Sequence, residues 1–351
     1  MSLERWLATR AAERRAAGLE RRLRPQASRT DLVDLAGNDY LGLRTDPRVT
    51  SAAAKAAQEW GAGAGASRLV TGTLHLHETL EHALAYFTGN EAALVFATGY
   101  QANLGAVTGL TDAETLIVSD AHVHASLVDA CRLARLARLV VTPHNDVAAV
   151  EATLRQRDEP RALVLVESVY SVLGDTAPVG ALGRLAERYD AVLVADEAHA
   201  MGVSGSTGRG LIHANGLSGR PGIVTTMTLS KALGGQGGAV LGTKAVMEHL
   251  VNTARPFIFD TGLAPPLAGA ALEALRIVSA EPGLAHRARS TAREMAAAAG
   301  QSEPGAAVLS IPMSSPEEAV RAQQALAKDG FLVWCFRPPS VPAGVSRLRI
   351  T

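Results

Sequence analysis

The chain has 351 residues, 47% of them hydrophobic and 19% charged, with 34 basic residues balanced by 34 acidic ones. That length exceeds one ordinary core and calls for two domains, or for one large α/β unit with an appendage. A net charge of zero provides no global field to attract nucleic acid or a membrane surface. The two cysteines, Cys131 and Cys335, form no C-x-x-C, which excludes a disulfide framework and a cysteine zinc site and fits a reducing compartment. No apolar run reaches the roughly 18 residues needed to span a bilayer. A cytoplasmic protein is expected.

The stretch Leu3 to Leu23 is arginine-rich and helical in pattern, and Glu4, Glu13 and Glu20 argue for a surface helix against a transit peptide. Residues 32–36 read as a short strand, and Gly37-Asn-Asp-Tyr-Leu-Gly42 as a turn. A helix over residues 51–60 leads into Gly61-Ala-Gly-Ala-Gly-Ala-Ser-Arg68. This run follows a helix and lacks the G-x-G-x-x-G spacing, so it is no dinucleotide fingerprint. It remains a loop able to bring backbone close to a ligand or a partner chain.

From residue 93 short apolar runs alternate with helical segments: 93–97, 115–118, 138–142, 162–166, 191–195, 223–228 and 239–241. Several, such as Leu163-Val-Leu-Val166, are apolar on both faces, as strands of a mainly parallel sheet covered by helices on both sides must be. Seven such runs predict a large doubly covered α/β sheet. Past residue 245 a mostly helical stretch leads to a second unit with a strand over 307–311, a helix over 317–328, a strand over 331–336 and a final alternating run, Arg347-Leu-Arg-Ile-Thr351. The expected division is an N-terminal helix and arm at 1–45, a large domain at 46–285 and a smaller α+β domain at 286–351. An α/β layer would normally return a covering helix after the last strand, so either a truncated chain or a surface covered by something else is expected there.

Ligands of open α/β sheets bind beyond the carboxyl ends of the strands. The residues following the runs are Thr98-Gly99-Tyr100, Ser119-Asp120, Glu167-Ser168, Asp196-Glu-Ala-His199 and Leu229-Ser-Lys231, so polar, titratable and glycine residues converge on one edge. Lys231 lies between a hydroxyl-bearing run and the glycine pairs Gly234-Gly235 and Gly237-Gly238, with no acid within five residues. Desolvation there would lower its pKa and make it an amine nucleophile; the plain alternative is a surface lysine beside a turn.

Asp196 after a buried strand needs a cationic partner, or else caps a helix. His199, three residues on, can share its site or serve structurally. Thr98-Gly-Tyr-Gln-Ala-Asn103 opens a helix whose free N–H groups can bind phosphate, with glycine admitting the ligand. His124 can stack on a planar ring. Asp196-Glu-Ala-His also spells a helicase box, but the G-x-x-x-x-G-K-[ST] loop that such an enzyme needs is absent. A phosphate cradle, a stacking ring, a buried aspartate and a desolvated lysine are together what pyridoxal 5′-phosphate (PLP) requires.

An aspartate about 35 residues before Thr228-Leu-Ser-Lys231 resembles the fold type I, aspartate-aminotransferase-like PLP enzymes. Within that class, Asn38-Asp-Tyr-Leu-Gly42, Ser67-Arg-Leu-Val-Thr-Gly72, His124-Ala-Ser126, Asp196-Glu-Ala-His199, Thr228-Leu-Ser-Lys231 and Arg347-Leu-Arg-Ile-Thr351 resemble the α-oxoamine synthases. The segment Arg337-Pro-Pro-Ser-Val-Pro-Ala-Gly344 is most similar to the branch serving biotin synthesis. The resemblance implies a homodimer that condenses L-alanine with a pimeloyl thioester and releases carbon dioxide. Sister activities of the family, or PLP binding without turnover, are the alternatives. It further implies that Lys231 carries PLP as a Schiff base and acts as the base at the amino-acid α-carbon. Asp196 would pair with the pyridine nitrogen, His124 stack on the ring and His199 contact its phenolic oxygen. Gly99, Tyr100, Thr228 and Ser230 would lie at the phosphate, joined by Thr261 from the neighbouring subunit. Asn38 and Arg349 would hold the substrate carboxylate, and Ser171 is a further cofactor contact. The family often has Ser-Met-Asp-Gly-Asp where this chain has Ser171-Val-Leu-Gly-Asp175, which removes the polar residue after Ser171.

Overall fold

Twelve strands form among the described residues of the computed structural model, which describes all of the chain except residues 18, 22, 24, 28–30, 339, 340, 342 and 343. They are β1 (Val33–Asp34), β2 (Ala92–Phe96), β3 (Thr115–Asp120), β4 (Arg138–Thr142), β5 (Arg161–Glu167), β6 (Val192–Asp196), β7 (Ile223–Thr228), β8 (Gly238–Gly242), β9 (Leu309–Pro312), β10 (Phe331–Leu332), β11 (Trp334–Phe336) and β12 (Arg347–Ile350). Seven of them make the expected sheet, in the order β2-β8-β7-β6-β5-β3-β4. The core pairs β4/β3, β3/β5, β5/β6 and β6/β7 are parallel, while β8 runs antiparallel to both β7 and β2.

Side chains alternate strictly along these strands, yet both faces are apolar. On β5, Leu163 and Leu165 enter the cluster containing Ala106, Leu127 and Leu250, whereas Val164 and Val166 enter the opposite one with Leu154, Leu182 and Ile212. This is why the sequence shows continuous apolar runs in place of alternation. The helices after β2, β3 and β4 begin with side-chain caps at the sheet edge. Thr98 accepts from Gln101 N at 3.1 Å, His124 Nδ1 from Ser126 N at 3.2 Å and Asp146 from Ala149 N at 2.9 Å. Each cap satisfies one otherwise orphaned donor and fixes where the chain leaves the strand.

The chain divides into two compact units, residues 1–37 with 309–351, and residues 38–308. The sequence reading drew its lines at 45/46 and 285/286, so the division differs at both points. Ala306 and Ala307 are buried in a cluster with Val169, Ala200 and Ala232, which joins the segment before β9 to the larger unit. The amino-terminal arm joins the smaller unit because β1 pairs in parallel with β10. That unit also contains an antiparallel sheet of order β11-β12-β9 and the helix Pro316–Lys328.

The single strand expected over 331–336 is two strands with different partners, β10 on β1 and β11 on β12, separated at the buried Val333. The first helix spans Leu3–Ala16 and stops short of Leu23. None of its residues is buried, and Gly18 in the sequence disfavours continuing it. The segment 337–344 includes residues outside the described ones. Among the described residues no helix is long and apolar enough to cross a membrane.

Leu165 is 0% exposed at the centre of the sheet. Leu165→Ala is expected to lower the unfolding free energy by about 2–5 kcal/mol, read as a lower urea midpoint at unchanged slope.

Candidate active site

Parallel β3, β5, β6 and β7 deliver their carboxyl ends to one edge of the large sheet, where a cavity of about 260 Å³ opens. Of the twelve residues anticipated from the sequence, eight line it: Gly99, Tyr100, His124, Asp196, His199, Thr228, Ser230 and Lys231. Thr98, Asn103, Ser126 and Glu167 complete its polar wall.

Asp196 ends β6 at 5% exposure, and no helix follows it, so the capping alternative does not apply. Its Oδ1 accepts from Ala198 N at 2.8 Å and its Oδ2 from Asn103 Nδ2 at 2.7 Å. Asn103 also donates to Ser126 Oγ at 2.8 Å and accepts from Thr226 Oγ1 at 2.5 Å. One asparagine on the helix Gly99–Gly109 thus ties together β6, β7 and the helix that follows His124. The sequence reading assigned Asn103 no role. The available signal was its position one helical turn beyond Gly99, on the same face.

The ring of His124 is neutral for a structural reason. Burial pushes its pKa down, and the charge of Lys231 adds to this against the opposing charge of Asp196. Its Nδ1 accepts from Ser126 N and pairs with Ser126 Oγ at 2.7 Å.

Lys231 Nζ lies 2.9 Å from His199 Nε2, and His199 Nδ1 lies 2.5 Å from Tyr40 Oη, which donates to Asn38 Oδ1 at 3.2 Å. With Lys231 donating to Nε2, the ring proton lies on Nδ1, directed at Tyr40. A relay therefore runs from Lys231 to Asn38, with Tyr40 as a member that the sequence reading quoted only inside a motif. Acids absent from the local sequence of Lys231 are supplied through space, since Asp196 and Glu167 line the same cavity. Glu167 and Asp196 are cross-strand neighbours. Burial, reinforced by the charge of Asp196, raises the pKa of Glu167, and its Oε1 has no hydrogen-bond partner.

At the other wall, the first N–H groups of the helix Gly99–Gly109 lack intrahelical acceptors, and the hydroxyls of Thr228 and Ser230 meet at 2.7 Å. Glycine is required here chiefly by packing. A Cβ on Gly99 would lie 2.9 Å from Thr228 Cβ, and one on Gly238 would lie 2.5 Å from Gly99 N. Tyr100 is partly exposed and donates to Asp129 Oδ2 at 2.5 Å.

Four anticipated residues fall outside the cavity lining. Asn38 reaches it through Tyr40 and His199. Ser171 lies beside it, its N donating to Glu167 Oε2 at 3.1 Å. Thr261 forms a bridge with Ser67, next to Asp260, which accepts from Gln101 Nε2 at 2.5 Å. Arg349 is buried in the smaller unit on β12, its guanidinium over the Phe336 ring.

These side chains fit a phosphorylated pyridine aldehyde: an amine, a carboxylate accepting from two N–H donors, a flat ring, and a helix start beside two hydroxyls. Residues 30–351 match the model of the aminotransferase class I and II family, and the chain belongs to that family. It is 54% identical over 347 residues to an 8-amino-7-oxononanoate synthase of Mycobacterium sp. (strain JLS), covering 99% of this chain and 91% of that protein. Its fold superposes on a high-resolution structure of SPT with PLP at a TM-score of 0.91 and 31% identity, over 100% of this chain and 93% of the other. An 8-amino-7-oxononanoate synthase from Francisella tularensis superposes at 0.77 with 26% identity, over 91% of each chain.

The turn after β6 is held by Glu197, whose Oε1 accepts from Leu211 N at 2.6 Å and Ile212 N at 2.9 Å. Burial pushes its pKa up from 4.5 to about 7. The folded chain therefore holds this proton more tightly than the unfolded chain. The resulting stabilisation is complete below pH 4.5 and lost as pH rises through about 7. Glu197→Gln keeps the acceptor and removes the titration, so its urea midpoint is expected to fall less than that of the parent between pH 4.5 and 8.

Proposed function

We propose that this chain is a PLP-dependent acyltransferase that condenses L-alanine with a pimeloyl thioester, giving 8-amino-7-oxononanoate, carbon dioxide and the free thiol. The observation that carries this reading is the placement of Lys231 Nζ, 2.9 Å from His199 Nε2, in the same cavity as the buried Asp196 carboxylate. The relatives named above supply the choice of substrates. When bound, the cofactor supplies an electron sink for charge developing at the amino-acid α-carbon and again on loss of carbon dioxide.

The protein's own groups then have distinct tasks. Lys231 Nζ would hold the aldehyde carbon and would move the proton at the amino-acid α-carbon. Asp196 would face the pyridine nitrogen, and Asn103 Nδ2, 2.7 Å from Asp196 Oδ2, keeps that carboxylate in place. His124 would offer its ring to the cofactor's face, while His199, backed by Tyr40, would address the phenolic oxygen. Gly99 and Tyr100 N–H groups and the hydroxyls of Thr228 and Ser230 would take the phosphate. Asn38 and Arg349 orient the substrate carboxylate, the arginine through its planar fork. Ser171 contributes a cofactor contact.

A homodimer with shared sites completes the reading, with Thr261 of each subunit serving its partner's phosphate. Support comes from exposed apolar residues on joined segments. Leu69, Val70, Phe259 and Tyr100 are all solvent-exposed, and the Ser67–Thr261 bridge and the Gln101–Asp260 bond tie their segments together. Cys131 and Cys335 are not joined in a disulfide, which suits a reducing, cytoplasmic setting.

Purified protein with PLP is expected to release thiol from pimeloyl-CoA with L-alanine. Lys231→Ala is expected to lose the absorbance band of the lysine-bound cofactor and at least on the order of 10²–10⁴-fold in turnover. Release only with glycine and a short acyl-CoA, or only with L-serine and a long-chain one, would overturn the assignment.

A further inference from the structure

A second cluster of titratable groups lies outside the cavity lining. His144 sits in the turn between β4 and the helix Val147–Arg155. Its Nδ1 is 2.9 Å from Asp120 Oδ1 and its Nε2 is 2.8 Å from Asp175 Oδ2. The ring stacks on His122 at 4.2 Å and meets the edge of Tyr170 at 4.4 Å. Next to it Asn145, held at a φ of +57°, donates from N to Asp120 Oδ2 at 2.7 Å and from Nδ2 to Asp175 Oδ2 at 2.9 Å.

Ionised carboxylates only accept hydrogen bonds, and a neutral imidazole has one N–H to give. Bonding Asp120 and Asp175 together requires both ring nitrogens to carry protons, so His144 is an imidazolium. Burial opposes the charge, but the two carboxylates outweigh it and push the pKa up to about 9. The remaining groups facing the ring are His122, Tyr170 and Asn145. Burial and the charge of His144 lower the pKa of His122, so a neutral ring lies on the cation.

Both carboxylates belong to segments that approach the site. Asp120 ends β3 and begins the turn to His124, and its Oδ1 also accepts from His122 N at 2.7 Å. Asp175 closes the loop after β5, where Tyr170 N donates to Asp175 O at 2.9 Å and Val169 bridges Thr176. That loop carries Ser171, which is bonded to Glu167.

We propose that His144 is a positioning residue whose doubly bonded imidazolium fixes the turn bearing His124 against the loop bearing Ser171, and so sets the spacing of those two groups at the cavity. This rests on the reading of His124 and Ser171 as cofactor-contacting residues. The device holds below its raised pKa and is lost as pH rises through it.

Nitrogen-15 histidine NMR of the PLP-loaded protein tests the protonation state without reference to turnover. His144 is expected to keep both N–H signals at pH 8 and to titrate near 9, against about 6.5 for an ordinary histidine. In Asp175→Asn, which retains an acceptor but not the charge, that titration and the alkaline limb of the kcat profile are expected to fall together by about one pH unit. His144→Gln is expected to lower kcat about tenfold with KM for L-alanine changed less than about twofold, since the loss lies in alignment and not in uniform binding. Should that variant not fold, the Asp175→Asn comparison decides. A His144 that titrates in the ordinary range, or an alkaline limb that Asp175→Asn leaves in place, overturns the proposal. If the protein shows no turnover with L-alanine and pimeloyl-CoA, the substrate reading fails alone. The NMR titration then decides the protonation state, and the pH dependence of the bound-cofactor absorbance in Asp175→Asn replaces the kcat limb.

Discussion

Asp196 is a carboxylate taken out of water at the end of a central strand, and the surrounding structure is arranged to satisfy both of its oxygens. An isolated buried charge costs several kcal/mol, so it needs donors that cannot drift. Two are provided, Ala198 N in the following turn and Asn103 Nδ2 from a helix 93 residues earlier in the chain. Thr226 on the adjacent strand fixes which way the Asn103 amide points, because Asn103 Oδ1 accepts from its hydroxyl. With that carbonyl engaged, the amide nitrogen faces Asp196 and Ser126. For the cross-strand partner Glu167, burial and the neighbouring Asp196 charge raise the pKa.

The remaining polar groups divide into two systems meeting at this carboxylate. On one side runs the Lys231–His199–Tyr40–Asn38 relay. On the other, His124, Ser126 and Asn103 form a rigid wall. Neither survives without the sheet register that sets β5, β6 and β7 in step. Asp196 pairs with Glu167 on one side and with Thr226 on the other, and a one-residue slip of β6 would turn Asp196 to the opposite face, away from both.

Much of this was legible in the sequence, for a definable reason. Strands buried on both faces leave continuous apolar runs, and the residue after each run is fixed at the sheet edge by topology. Asp196, Lys231, His124 and Gly99 were therefore visible as strand-end residues before any contact was known. Asn103, Tyr40 and Glu167 were not assigned roles because theirs depend on neighbours far away in the chain. The absence of acids near Lys231 was true of the sequence and untrue of the space around it. Likewise Gly99 reads as room for a ligand, whereas it is also needed where Thr228 packs against the helix start. The reversal of β8 left no trace in the three-residue apolar run 239–241, since burial patterns carry no strand direction.

That reversal bears on how the site is assembled. Because β8 is antiparallel to β7, with Thr228 opposite Gly238, the segment carrying Lys231 is the closed end of a hairpin and not a crossover to a distant strand. The loop-closure entropy of so short a segment is small, whereas uniting Asp196 with Asn103 must wait for long-range strand pairing. The lysine loop thus rests on pairing between strands adjacent in the chain, whereas the carboxylate and amide facing it are joined across distant segments.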